Sequence, residues 1–134
     1  MEAAMKLICA TLLVIGIFFS TLVENTREGW SGDLQKGVTA AQKGNFETAL
    51  REWTPLAEQG YAKAQYNLGV MYGLGNGVIQ DNVYAHMWGN IGASNGNEDG
   101  GKVRDTVAKK MTPAQIAEAQ TLARECVAKN YKGC

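Results

Sequence analysis

The chain carries one histidine, His86, and three cysteines, Cys9, Cys126 and Cys134. A lone imidazole cannot build a His-based metal cluster, and it leaves no second imidazole in reserve beside a Ser-His pair. Its place between Ala85 and Met87 suits a surface or half-buried helix residue rather than a catalytic one. Glu47, Glu52 and Glu58 are spaced for a helix surface, not for a close carboxylate pair. Neither S-x-x-K nor C-x-x-C occurs, so two specific nucleophile and redox patterns are missing. The glycine-rich stretch Gly73, Gly75 and Gly77 lacks a GK[ST] ending and follows no strand pattern, which excludes a phosphate-cradling loop. The residues point to no catalytic site, no cofactor and no metal.

The cysteines make sense with the amino terminus. Lys6 precedes an apolar run from Leu7 to Phe19, the layout of a secretory signal peptide and short for a membrane span of about 20 residues. No Ala-x-Ala cleavage site follows, and the apolar character extends to Val23. Two readings stand: export with cleavage, or retention as a membrane anchor through residues 7–23. Export meets an oxidising compartment, and the two cysteines outside the leader, Cys126 and Cys134, then read as a disulfide. The helix carrying Cys126 must stop near Lys129-Asn130, where asparagine tolerates the left-handed conformation, so the tail can fold back. Lys plus Arg equals Asp plus Glu at 13 each, and no bulk charge favours nucleic acid. The local cluster Lys102, Arg104, Lys109 and Lys110 is interrupted by Asp99 and Asp105, as on a solvated helix face.

The elements that must position these residues are helices. Ala64, Leu68, Met71 and Tyr72 recur on one helical face, with Gly69 among them leaving room for a second helix. Gly73, Gly75 and Gly77 are expected to break that helix and turn the chain. Asp81 is a good N-cap for the next helix, whose stripe Ala85, Trp88, Ile91 and Gly92 ends at Gly96. Upstream, Asn45, Ala49, Ala57 and Gly60 align with Asp81, Ala85, Ala93 and Gly96 at a constant offset of 36 residues. Pro55 falls inside the first of these paired helices and should kink or shorten it. Beyond Gly96 the frame fades. Glu98 to Lys110 reads as a short helix buried through Val103 and Val107. Thr112 and Pro113 then open a last helix. Its inner face is read as Ile116, Ala119, Ala123, Cys126 and Val127, and Glu118, Leu122 and Arg124 as its outer face.

The stretch from Ala62 to Trp88 resembles a Sel1-type repeat. Ala62, Ala64, Gln65, Leu68, Gly69, Met71, Tyr72, Gly75, Gly77, Val78, Asp81, Ala85 and Trp88 fall on that family's frame. The resemblance covers roughly Leu34 to Arg124. It implies a small exported bacterial protein of the tetratricopeptide-like superfamily. The fold would be all-α, a short α-solenoid of helix hairpins with a C-terminal capping helix. On this reading residues 1–29 are a signal peptide or N-terminal anchor with a short linker, and residues 30–134 form the repeat domain. Its units are about 33–60 and 61–96, with the cap at 97–134.

The family usually binds partners and shares no catalytic residue. The resemblance therefore implies a non-catalytic scaffold for an unidentified protein or peptide in the cell envelope. It would be periplasmic if the leader is cleaved and membrane-associated only if it is kept. By analogy with the tetratricopeptide frame, Lys63, Tyr66 and Val70 face the groove, and Asn67 is placed to bond an extended peptide backbone. Packing of Tyr66 and Val70 against a neighbouring hairpin is the equal alternative. Two repeats fall below the about three usually needed for a stable stack, so the helices after Gly96 or a second copy must cover the open end. Rival readings are a membrane-tethered adaptor and a β-lactam-binding or hydrolysing enzyme of the cysteine-rich Sel1 type. That enzyme type carries a disulfide in each repeat, and both units here lack cysteine. Any enzyme reading demands a pocket with polar groups converging around His86 or the glutamates.

Overall fold

Local signals fix several of the helix boundaries. The structure, a computed structural model, describes residues 34–134. The leader or anchor reading of residues 1–29 lies outside the described residues. Residues 34–42 are helical (α1). They are followed by α2 (Phe46–Ala57), α3 (Ala62–Leu74), α4 (Asn82–Ser94), α5 (Glu98–Ala108) and α6 (Pro113–Ala128). No strand occurs among the described residues. Three helices start on side-chain caps read from sequence. Asn45 Oδ1 accepts from the Thr48 amide, Asp81 Oδ1 from the Val83 and Tyr84 amides, and Thr112 forms a reciprocal box with Gln115. Each cap satisfies amides that the helix itself cannot, worth about 1 kcal/mol.

Three expectations need correction. Gly73 does not break α3, which runs on to Leu74; Gly75, with φ 70°, ends it, and Gly77, with φ 73°, turns the loop. Gly73 stays within the helix, where an added Cβ would make only ordinary contact with Ala85 and Val107. Pro55 sits within α2, whose end follows two residues later at Ala57, so the lost amide falls in the final turn where it disrupts little. On α6, Val127 is 49% exposed, whereas Leu122 packs against the core. The helix is rotated so that Ala119, Leu122, Ala123 and Cys126 face inward.

Packing between helices depends on small residues. α4 touches α3, α5 and α6, and α3 also touches α2 and α5. A Cβ on Gly69 of α3 would lie 3.1 Å from the Gly89 nitrogen and 3.2 Å from the Ala85 carbonyl oxygen on α4. On the other side of α4, a Cβ on Gly100 of α5 would lie 2.6 Å from the Gly89 carbonyl oxygen and 2.8 Å from the Ala93 nitrogen. Both pairs therefore meet backbone to backbone. Around this contact Trp53, Leu56, Leu68, Met71, Met87, Trp88 and Ile91 form one buried cluster. Trp53 covers Gly37 and donates from Nε1 to the Leu34 carbonyl at 3.3 Å, holding α1 onto α2.

The offset of 36 residues has a structural counterpart that extends past Gly96. Asn45 and Asp81 both cap helices, Ala49 and Ala85 are both fully buried, and Gly60 and Gly96 both have positive φ. The Tyr61 amide donates to the Leu56 carbonyl and the Asn97 amide to the Gly92 carbonyl, each at the start of the next helix. Such bonds also follow α1, α3 and α6, but α5 starts at Glu98, 36 residues after α3 starts at Ala62. The sequence frame fades there, but the backbone frame does not.

The tail closes the unit. Asn130 and Tyr131 take positive φ (52° and 63°), and Cys134 returns to bond Cys126, with the Cα atoms 5.6 Å apart. The Tyr131 hydroxyl donates to Asn95 Oδ1 at 3.2 Å, Asn95 Nδ2 to Gln65 Oε1 at 2.8 Å, and Gln65 Nε2 to the Ala57 carbonyl at 3.0 Å. This chain ties the tail to α4, α3 and α2, and it satisfies Gln65, which is fully buried.

Two stability measurements check this packing. Gly100→Ala is expected to lower the unfolding free energy by about 1–3 kcal/mol through overpacking. Gly101→Ala, whose Cβ would find nothing nearer than 3.8 Å, should raise it by up to about 1 kcal/mol. Urea denaturation showing the two variants alike would contradict the backbone contact. Reduction of the Cys126–Cys134 bridge should cost about 2–3 kcal/mol in the same assay, and Cys134→Ser should abolish the effect of reductant.

Candidate functional site

Two concavities flank α5. The first is a groove of about 300 Å³ between α3 and α5, with Gly69, Val70, Gly73, Val103 and Val107 among its lining residues. Tyr66 and Leu74 border it from α3, Asp99, Lys102 and Thr106 from α5, and Lys110 from the turn that follows α5. Gly69 and Gly73 bring bare backbone to its wall, their missing side chains lying on the α4 side. Lys63 lies 4.4 Å from the Tyr66 ring centroid, so a cation covers one face of that ring. Lys102 Nζ donates to Asp99 Oδ1 at 2.6 Å. That hydrogen bond and charge hold the Asp99 carboxyl below its ordinary pKa and Lys102 above its own. The rim is charged while the floor is apolar.

The four groove residues named from sequence are not placed alike. Tyr66 and Val70 line the groove, and Lys63 is exposed beside Tyr66. Asn67 is 8% exposed, does not border this groove, and its Nδ2 has no partner among the described residues. The lysine cluster read as a single solvated face is divided by the helix: Lys102 and Lys110 border the groove, and Arg104 points to the other concavity.

That second concavity is a cleft of about 560 Å³ between α4, α5 and α6. His86, Asn90 and Ser94 come from α4, Arg104 from α5, and Gln120 and Arg124 from α6. Ile91, Ala123 and Val127 supply an apolar wall. Arg104 donates from Nε to Asp105 at 2.8 Å and from Nη1 to Asn90 Oδ1 at 3.2 Å. Arg124 donates from Nη2 to Thr121 Oγ1 at 2.9 Å. Glu47, Glu52 and Glu58 do not line it.

His86 is 3% exposed, which corrects the expectation of a surface or half-buried residue. The α4 face on which it lies is covered by α6, a contact with no local sequence signal. Its Nδ1 is enclosed and has no partner among the described residues. An enclosed N–H without an acceptor costs about 1–3 kcal/mol, so the favoured neutral tautomer leaves Nδ1 as a lone pair and carries the proton on Nε2. Burial lowers the His86 pKa, the Arg104 charge lowers it further, and Asp105 opposes them. Polar groups therefore do converge around His86. They comprise one imidazole, two guanidiniums, two amides and a hydroxyl, Ser94 Oγ, that donates to the Asn90 carbonyl at 3.0 Å. This set is suited to holding an anion; the cleft lining provides neither a carboxylate nor a thiol.

Among the described residues, no group of three or more His, Cys, Asp or Glu side chains is placed to hold a metal, and no helix is long and apolar enough to cross a membrane. Comparison of the chain with protein-family models and with curated proteins found no match. Arg104, Asn90, Gln120 and Arg124 were missed as a group by sequence reasoning. Their only sequence signal is that each falls on a helix flank next to an inward residue.

The histidine makes a pH prediction. Its folded-state pKa lies below the ordinary 6.5, so the unfolded chain takes up its proton first as pH falls. The contribution to stability is complete above that value and is lost progressively below it. The charges facing the ring are Arg104 and Asp105 from α5 and Arg124 across the cleft from α6. Relative to a His86→Met variant, the native chain should lose thermal stability as pH falls through about 6.5. The ring's NMR titration midpoint should lie below that value, and a midpoint above it would contradict the burial argument.

Proposed function

We propose that this chain is a short α-solenoid of Sel1-like hairpins that binds an extended peptide or protein segment without catalysing a reaction. The observation that carries the reading is the open groove between α3 and α5, apolar in its floor and charged at its rim. A peptide laid there would bury alternate apolar side chains against Val70, Val103 and Val107, while Tyr66, covered by Lys63, supplies a rigid aromatic anchor. The shared register of α3 and α5 supports the repeat reading, since a groove between successive first helices follows from stacking equivalent hairpins. α5 then covers α3 and α4, and α6 packs on α4, with the exposed residues of α6 turned to water.

The same proposal places the protein in an oxidising compartment of the cell envelope. Its support is the bridge between Cys126 and Cys134, together with the apolar run from Leu7 to Phe19. Self-association is not required to complete the stack on this reading, because α5 and α6, both packed on α4, supply the cover that the two repeats need.

Panning a library of random displayed peptides against the full chain, followed by calorimetry of the enriched sequences, tests the groove. Val70→Asp should weaken the selected peptides about tenfold or more by placing a charge on an apolar floor. Ile79→Asp, at a loop position 91% exposed, should leave affinity unchanged. Peptides that bind the Val70 variant as tightly as the native chain would sink this reading.

A further inference from the structure

We propose that the cleft between α4, α5 and α6 is a second binding site, for a small organic carboxylate with an aliphatic body. The inference is independent of the groove on the other side of α5. Arg104 and Arg124 reach the cleft from different helices, and no acidic residue lines it. Arg104 uses Nε and Nη1 on Asp105 and Asn90, while its Nη2 has no partner among the described residues. Arg124 is exposed, and its one hydrogen bond, to Thr121, leaves donors available. Arg124 can present paired N–H groups at the spacing of a carboxylate, and Arg104, already paired with Asp105, can add its free Nη2 as a further donor.

His86 is the second, separate observation. It is more than nine-tenths buried and borders the cleft, and its enclosed, unpartnered Nδ1 leaves Nε2 as the nitrogen that carries the proton. With Nδ1 as the bare lone pair, the ring can offer an Nε2 N–H donor to the same anion. The remaining wall decides the class of ligand. Ile91, Ala123 and the half-exposed Val127 are apolar, and a strongly hydrated inorganic anion would gain nothing from them. An aliphatic chain laid over that wall would bury it while the carboxylate meets the arginines. The cleft volume of about 560 Å³ lies within the usual range for small-molecule sites.

Because His86 is the only histidine, its ring resonances report on the cleft without ambiguity. The test titrates the full chain, bridge intact, near pH 7 with hexanoate, with hexanol and with inorganic phosphate. Hexanoate should shift the His86 ring resonances saturably, whereas hexanol and phosphate should each bind at least about tenfold more weakly. Arg124→Gln and Val127→Asp both alter exposed positions and should each weaken hexanoate about tenfold or more while leaving the thermal midpoint nearly unchanged. No saturable shift, phosphate binding as tight as hexanoate, or hexanoate binding indifferent to both substitutions would each overturn the proposal.

Discussion

The rest of the structure depends on how closely α4 is held between α3 and α5. Gly89 is the meeting point: its nitrogen faces Gly69 on one side and its carbonyl faces Gly100 on the other. Helices that approach through glycine bring their flanking side chains into contact over a longer stretch, which is how Leu68, Met71, Met87, Trp88 and Ile91 become buried together. The cost is the lower helix propensity of several glycines, about 1 kcal/mol each. Packing against two neighbours offsets it, and those glycines are therefore tolerated in helix interiors.

Both concavities follow from that approach. With α5 drawn tightly against α4, its outward flanks are left to face α3 on one side and α6 on the other. Gly69 and Gly73 line the first gap with backbone alone, and the small residues Ala119 and Ala123 let α6 lie close to α4 while the side chains of Arg104 and Arg124 border the second. The tail then fixes the arrangement from outside. Its disulfide anchors Cys134 to α6, and the relay through Tyr131, Asn95 and Gln65 reaches the end of α2. A further bond, from the Gly133 amide to Glu58 at 3.2 Å, places the last residues against the α2 end. A short covalent loop thereby serves contacts that are far apart in sequence.

Much of this was legible where the signal is local. Asn45, Asp81 and Thr112 cap helices because short polar side chains can reach the first-turn amides, and that geometry needs no tertiary context. The left-handed turn at Asn130 and the pairing of Cys126 with Cys134 are similarly short-range. What depended on neighbours was not legible. Gly73 lies inside α3 beside Ala85 and Val107, neighbours that α4 and α5 supply. The rotation of α6 that buries Leu122 and exposes Val127 depends on its crossing with α4, as does the burial of His86. The helices after Gly96 were legible, but the start of α5 36 residues after that of α3 was not, because the side chains at Tyr61 and Asn97 differ. Tyr66 and Val70 border the concavity between α3 and α5, whereas Asn67 occupies a buried position outside it. The cleft required three helices to be assembled before its arginines could be seen as neighbours.

Native-state hydrogen exchange followed residue by residue tests the central claim most directly. If α4 is the element on which the others pack, its central amides, from Met87 to Ile91, should exchange only on global unfolding, together with the facing amides of α3 and α5. α1 and the outer turns of α6 should open at lower free energy. Slowest exchange in α2 or α6, with α4 opening locally and independently of α3 and α5, would contradict the account.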